Sequence, residues 1–330
     1  MKNHIKRFAV LLLLVCGTVL SARVGIDVTL NRRVYMQYER ILACVTMRNN
    51  SGRPLLFGTD PELQGFLMFD IRDSKNRLAV KRKNAEISVT GLLLQPGEVR
   101  RLIFRLDTYY DISACGSYRV HAYVSHNQLR NEFRSQDAFF EIERGHVVWK
   151  HTVGLPDLSE KKNGKYEERT YSVRELKTKG DLSYYLFVED NKHVFCVSRI
   201  GQVFGFEKFQ AEVDHLSRLH ILLPISARVF HYLAFNAAGE RLESTYWRIS
   251  DSIPGLFRDA KTGRVRRVGG EPARLGVDFS LPSSAGYKTA TQLLNENKKA
   301  VQQQPKAPAY SGVVDLGQDV MADAPGSRDK

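Results

Sequence analysis

Three histidine pairs share one spacing: His121 and His126, His146 and His151, His215 and His220. Imidazoles that hold zinc together lie two apart on a strand or three to four apart on a helix. An offset of five sends them to opposite faces of a strand and about 140° apart on a helix. Structural or exposed histidines are therefore expected, and no metal ligand is assigned. Asp214, His215 and Ser217 have the residue types of a hydrolase, but no strand-elbow signature surrounds the serine, and the three stand too close in sequence to form a relay. The paired acids Glu167-Glu168 and Glu189-Asp190 fall in polar surroundings where charge is simply solvated. The sequence contains no Walker loop, dinucleotide fingerprint or Cys-x-x-Cys. No catalytic or cofactor-binding residue is assigned, and the chain is expected to be non-enzymatic.

Of four cysteines, Cys16 belongs to an apolar leader, leaving Cys44, Cys115 and Cys196. An odd number forbids a complete disulfide framework, and the pairing stays open. Cys44 shares a strand parity with Leu42 and Thr46, whereas Ile41, Ala43, Val45 and Met47 form the more continuous apolar face, so the thiol is not placed in the core.

The elements that must position any site are strands. Within residues 92–124, Gln95-Pro96-Gly97-Glu98 is a turn signal, since proline presets φ and glycine accepts a positive one. From Val99 the chain alternates, Leu102, Phe104 and Leu106 against Arg101, Ile103, Arg105 and Asp107. Further on, Tyr118, Val120, Ala122 and Val124 alternate with Arg119, His121 and Tyr123. Both runs have the period of a half-buried strand. Residues 23–146 hold eight such candidates, at 24–30, 40–48, 66–71, 78–81, 87–93, 100–106, 118–124 and 138–143, which predicts an antiparallel β-sandwich. Six more, at 171–176, 184–189, 194–199, 219–223, 229–236 and 242–249, predict a second sandwich over residues 169–270, with one short helix near 206–214.

Asp111, Gly116, Tyr118 and Val120 resemble the D-x-G-x-Y-x-C run of immunoglobulin-like domains, with four residues instead of one between Asp and Gly. The resemblance implies a tyrosine whose hydroxyl bonds back to the corner. Val120 stands where antibody domains carry a cysteine, so the sandwich it implies is free of that disulfide. Asn49-Asn50-Ser51-Gly52, residues 69–73, residues 94–98 and residues 116–120 are similar to landmarks of intracellular proteinase inhibitor-type β-sandwiches. Asn49-Asn50-Ser51 is also formally a glycosylation sequon, although its composition is first that of a loop.

Residues 1–22 combine Lys2, Lys6 and Arg7 with an apolar run from Phe8 to Val15 and the small-residue exit Ser21-Ala22, which reads as a secretory signal. The run falls short of the ~20 residues a spanning helix needs, so no stable membrane span is expected after cleavage. Cleavage would remove three of the 49 basic residues and none of the 36 acidic ones, so a basic excess remains, spread along the chain. The densest runs, Lys81-Arg82-Lys83 and Arg264 with Arg266-Arg267, lack interleaved aromatics and read as solvated strand edges, so no nucleic-acid partner is expected. Residues 147–168 read as a linker, with Trp149 packed at a junction where a cleft is expected, and residues 271–330 read as a disordered tail.

The expected function is that of an exported, non-enzymatic binding or structural module of the cell envelope or extracellular space. It would act by surface recognition of a protein or glycan. A proteinase inhibitor is the first alternative, and an accessory hydrolase with its site at the domain junction the second.

Overall fold

Alternating side chains pair two sheets over one apolar core in the first half of the chain. In the computed structural model, residues 24–129, 131–155, 167–205 and 208–280 are described. Residues 1–23, 130, 156–166, 206–207 and 281–330 lie outside them. Val24–Leu30, Leu42–Asn49 and Val99–Arg105 form a three-stranded antiparallel sheet with Leu42–Asn49 in the middle. The facing sheet is centred on Gly116–His126. Gly65–Asp73 pairs along one edge of that strand, and Ala138–Glu143 and Phe133–Arg134 share the other. Val34–Met36 adds to Ala138–Glu143 in parallel, the one exception to the expected antiparallel order among these strands.

Ala43, Val45, Met47 and Phe104 from the first sheet are buried against Leu67, Phe69, Ile71, Val120, Ala122 and Val124 from the second. The Phe69 and Phe104 rings meet edge to face at 5.5 Å. Cys44 is only half-buried, as its parity predicts, and Cys44, Cys115 and Cys196 are all free thiols. At the corner the Tyr118 hydroxyl donates to the Ala114 carbonyl at 2.8 Å, and its ring stacks on Phe140 at 5.1 Å. Gly116 turns the chain there with φ +144°, a conformation that a side chain resists.

The expected strand at 87–93 is mostly irregular: only Leu93–Leu94 pairs, with Leu55–Leu56. Gly91, at φ +87°, donates its N–H to the Phe57 carbonyl and bends the chain out of ladder geometry, while Val89 still buries its side chain in the core. Asn49 is fully buried. Its amide donates to the Arg53 and Leu94 carbonyls at 2.7 and 2.8 Å, and its Oδ1 accepts from Ser51. The sequon asparagine is therefore a loop clamp whose nitrogen is already committed.

In the second half, His146–Gly154, Glu168–Thr178, Asp181–Glu189 and Val194–Gln202 form a meander. Gln210–Val213, Leu219–Pro224, Val229–Phe235, Arg241–Arg248 and Glu271–Pro272 form a second sheet. Tyr171, Val173, Leu186 and Val188 of the meander pack on Leu219, Ile221, Leu223, Leu233 and Phe235. The opposite face of the second sheet, with Leu222, Phe230 and Tyr232, is covered by Trp247, Ile249 and Leu256. The last of these comes from a hairpin of Gly255–Arg258 and Val265–Val268.

Three expectations are corrected. The linker predicted at 147–168 begins as strand: His146–Gly154 pairs with Glu168–Thr178 because Trp149 and Val153 pack onto the core, with a bulge at Val147 to Trp149 absorbing the irregular apolar run, while residues 156–166 lie outside the described residues. The helix predicted near 206–214 is replaced over Gln210–Val213 by a strand whose backbone pairs with Leu219–Leu222. The tail predicted from residue 271 begins as ordered chain, since Glu271–Pro272 pairs with Trp247 and Arg248, and Phe279 packs its ring 4.5 Å from Tyr246.

The two halves meet around Met36, Leu176, Tyr185 and Phe187, which are buried together with Val34 and Val197 against them. Arg32 donates to the Tyr185 hydroxyl and pairs with Glu39. The junction where a cleft was expected is thus filled by packed side chains.

Candidate binding face

The outer face of the Gly116–His126 sheet follows directly from its register. Inward Tyr118, Val120, Ala122 and Val124 leave Arg119, His121, Tyr123 and Ser125 pointing out. Across the sheet, Phe139 stands opposite Arg119, which stands opposite Arg72; His121 lies opposite Asp70; and Arg134, Tyr123 and Met68 form the next row. No second sheet is needed to satisfy these side chains, because most are charged or amphipathic. Phe139 is the most exposed apolar side chain among them, at 66% against 39% for Met68, on a strand whose Phe140 and Ile142 are buried on the other side.

Charge on the face is organised around two carboxylates. Arg72 grips Asp70 with Nε and Nη2 at 2.8 and 2.9 Å, and this bidentate bond holds the Asp70 carboxyl below its usual range. Asp137 accepts from Arg134 at 2.8 Å and has Arg119 Nη1 at 3.7 Å and His121 Nδ1 at 3.4 Å. Burial lowers the His121 pKa, with Arg134 adding to the effect, so its ring is neutral at pH 7. Arg119 also donates to Asn76 Oδ1 at 2.6 Å.

Phe139 lines two open cavities. One, of about 440 Å³, is lined by Arg134, Ser135, Gln136 and Asp137 with the ring. The other, of about 450 Å³, lies against Ser74, Asn76, Ser117 and Arg119. The arrangement offers an apolar ring beside hydrogen-bonding groups.

The residues first singled out for chemistry lie elsewhere or apart. His126 is turned inward, edge-on to Phe57, as an offset of five from His121 requires on a strand. Asp214 joins His220 at 3.3 Å and Arg218 at 2.7 Å, not His215, while the Ser217 hydroxyl donates to the Gly154 carbonyl. Burial opposes charge on Asp214, but the bonds from Arg218 and His220 bring its pKa below the usual carboxylate value. Among the described residues no group of three or more His, Cys, Asp or Glu side chains could hold a metal ion. Phe139 and Arg119 were not singled out from sequence. The usable signal was an aromatic at 139 on the same parity as Glu141 and Glu143, where the strand pattern calls for polar residues.

No protein-family model matches the chain, and no curated protein shows significant similarity to it.

Proposed function

We propose that this is an exported, non-enzymatic binding module of the cell envelope or extracellular space, which recognises its partner through the outer face of the Gly116–His126 sheet. The observation that carries the reading is Phe139, a ring 66% exposed that lines two open cavities, one with Arg134 and Gln136 and the other with Asn76 and Arg119. A ring beside hydrogen-bonding groups gives a partner apolar and polar contact at once, as binding pockets do. The basic, apolar and small-residue order of residues 1–22 supports export. Among the described residues no helix is long and apolar enough to cross a membrane.

The test is sedimentation of the purified protein with envelope fragments from the source cells, comparing wild type with Phe139→Ala. The wild type should pellet with the fragments and the variant should stay in solution. Equal sedimentation of the two would remove the face from the function. Amino-terminal sequencing of the native protein should give a chain beginning near residue 23, and a chain beginning at Met1 would remove the export assignment.

A further inference from the structure

The hairpin of Gly255–Arg258 and Val265–Val268 leaves one backbone edge open. Its strands pair only with each other, and a ribbon of two strands gains stability from a third. Asp259 N–H bonds the Arg264 carbonyl, so Arg264, Arg266 and Val268 turn their backbone groups toward the first strand. Those of Val265 and Arg267 then turn outward, and no backbone bond among the described residues takes them. At one end of this edge the His215 N–H bonds the Gly263 carbonyl, and at the other Arg267 Nη1 bonds the Gly269 carbonyl. Leu256 and Arg267 face inward, onto the second sheet and the Trp247 ring. Phe257, opposite Arg266, and Val268, opposite Gly255, therefore face out, 49% and 42% exposed.

Residues 253–268 carry Arg258, Lys261, Arg264, Arg266 and Arg267 against the single carboxylate of Asp259. That carboxylate accepts the Lys261 and Thr262 N–H groups at 2.8 and 3.3 Å, and Arg266 acts on it only after those bonds. Glu271 and Asp278, which follow, are taken by Arg248, and Glu243 acts on the inward Arg267. Among the described residues no ion pair takes Arg258, Lys261, Arg264 or Arg266. We propose that residues 313–317 of this chain occupy the open edge as a third, antiparallel strand. Val313 then falls opposite Val268, Asp315 opposite Arg266, and Leu316 opposite the buried Val265. Opposite charges and apolar pairs across strands each stabilise a sheet. Gly317 falls opposite Arg264, just before His215 closes the edge, and glycine lets the chain turn away there. Asp319 and Asp323 follow, and no Lys or Arg lies between Lys306 and Arg328, so this stretch brings only negative charge to the basic hairpin. Residues 281–312, at ~3.3 Å each when extended, reach about 100 Å, against a width of roughly 35 Å for a domain of this size.

Hydrogen–deuterium exchange on the full chain and on a chain ending at residue 308 tests the proposal. The Val265 and Arg267 amides should exchange about tenfold more slowly in the full chain. Arg266→Asp and Asp315→Arg should each abolish that protection, the double variant should restore it, and thermal melts should show every variant folded. Equal exchange at these amides in the full and shortened chains would overturn the proposal. So would a double variant no better protected than the single ones. Protection that rises with protein concentration would assign the edge to the same segment of a second copy and overturn docking within one chain.

Discussion

Tyr118 shows how much one side chain can carry: its ring is buried on Phe140 while its hydroxyl closes the corner through the Ala114 carbonyl. Tyr118→Phe removes only the hydrogen bond and should cost about 1 kcal/mol. Tyr118→Ala also deletes a buried ring and should cost about 3–5 kcal/mol in chemical denaturation. A loss for Ala no larger than that for Phe would mean that the ring contributes nothing to the core. His231 gives a pH dependence. Half-buried, stacked on Tyr246 at 4.3 Å and bonded to Ser244, its pKa is pushed down from 6.5 to about 4 by burial, with the Arg241 charge adding to the effect. The folded state therefore resists protonation that the unfolded chain accepts. This contribution is complete above pH 6.5 and should be lost, by about 1–2 kcal/mol, as pH falls towards 4. His121 and His220 shift in the same direction, so the measurement is the difference between wild type and His231→Gln across that range. Parallel stability curves for the two would show that His231 titrates normally.

At the scale of elements, the strand Arg241–Arg248 depends on the segment that follows the second half of the fold. Glu271 pairs with Arg248 at 2.6 Å, Asp278 approaches the same guanidinium at 3.8 Å, and Phe279 covers Tyr246. The ion pairs are exposed and weak, so the ring contact and the strand pairing dominate. Chains ending at residue 280 and at residue 270 should differ by about 1–3 kcal/mol, the shorter being less stable. Identical melting of the two would mean that the segment rests on the sheet without supporting it. Because Phe279 also packs against the partner ring of His231, the shorter chain should show a weakened pH dependence as well.

For the whole molecule, the decisive residue is Gly145, where the chain passes from Ala138–Glu143 into His146–Gly154. It sits at φ +68°, and a Cβ there would come within 2.6 Å of Met36 Cε and 2.7 Å of the Glu175 carbonyl oxygen. The methionine can move, but the backbone oxygen cannot, and the left-handed φ adds strain of its own. Gly145→Ala should cost about 2–4 kcal/mol and loosen the contact of Met36 with Leu176, Tyr185 and Phe187. Limited proteolysis should then release two fragments where wild type resists. Unchanged stability and protease resistance would mean that the two halves do not depend on this turn for their packing.

The β architecture was legible because period-two alternation is local: residues 138–143 and 118–124 carry their inward and outward faces in their own order. The tyrosine corner was legible for the same reason, since Gly116 and Tyr118 lie within the reach of one turn. The junction was not, because Val147, Val148 and Trp149 read as an apolar cluster in a linker until Glu168–Thr178 supplied a strand to pair with. Nor was the candidate face. Phe139, Arg119, Asp137 and Asn76 are spread over more than sixty residues, and only strand register brings them around one ring. Sequence alone determined which side is apolar in strands such as 118–124 and 138–143, because that is set by neighbours two residues apart. Tertiary structure alone decided which outward side chains meet, because a one-residue slip in pairing would have turned every one of them to the other face.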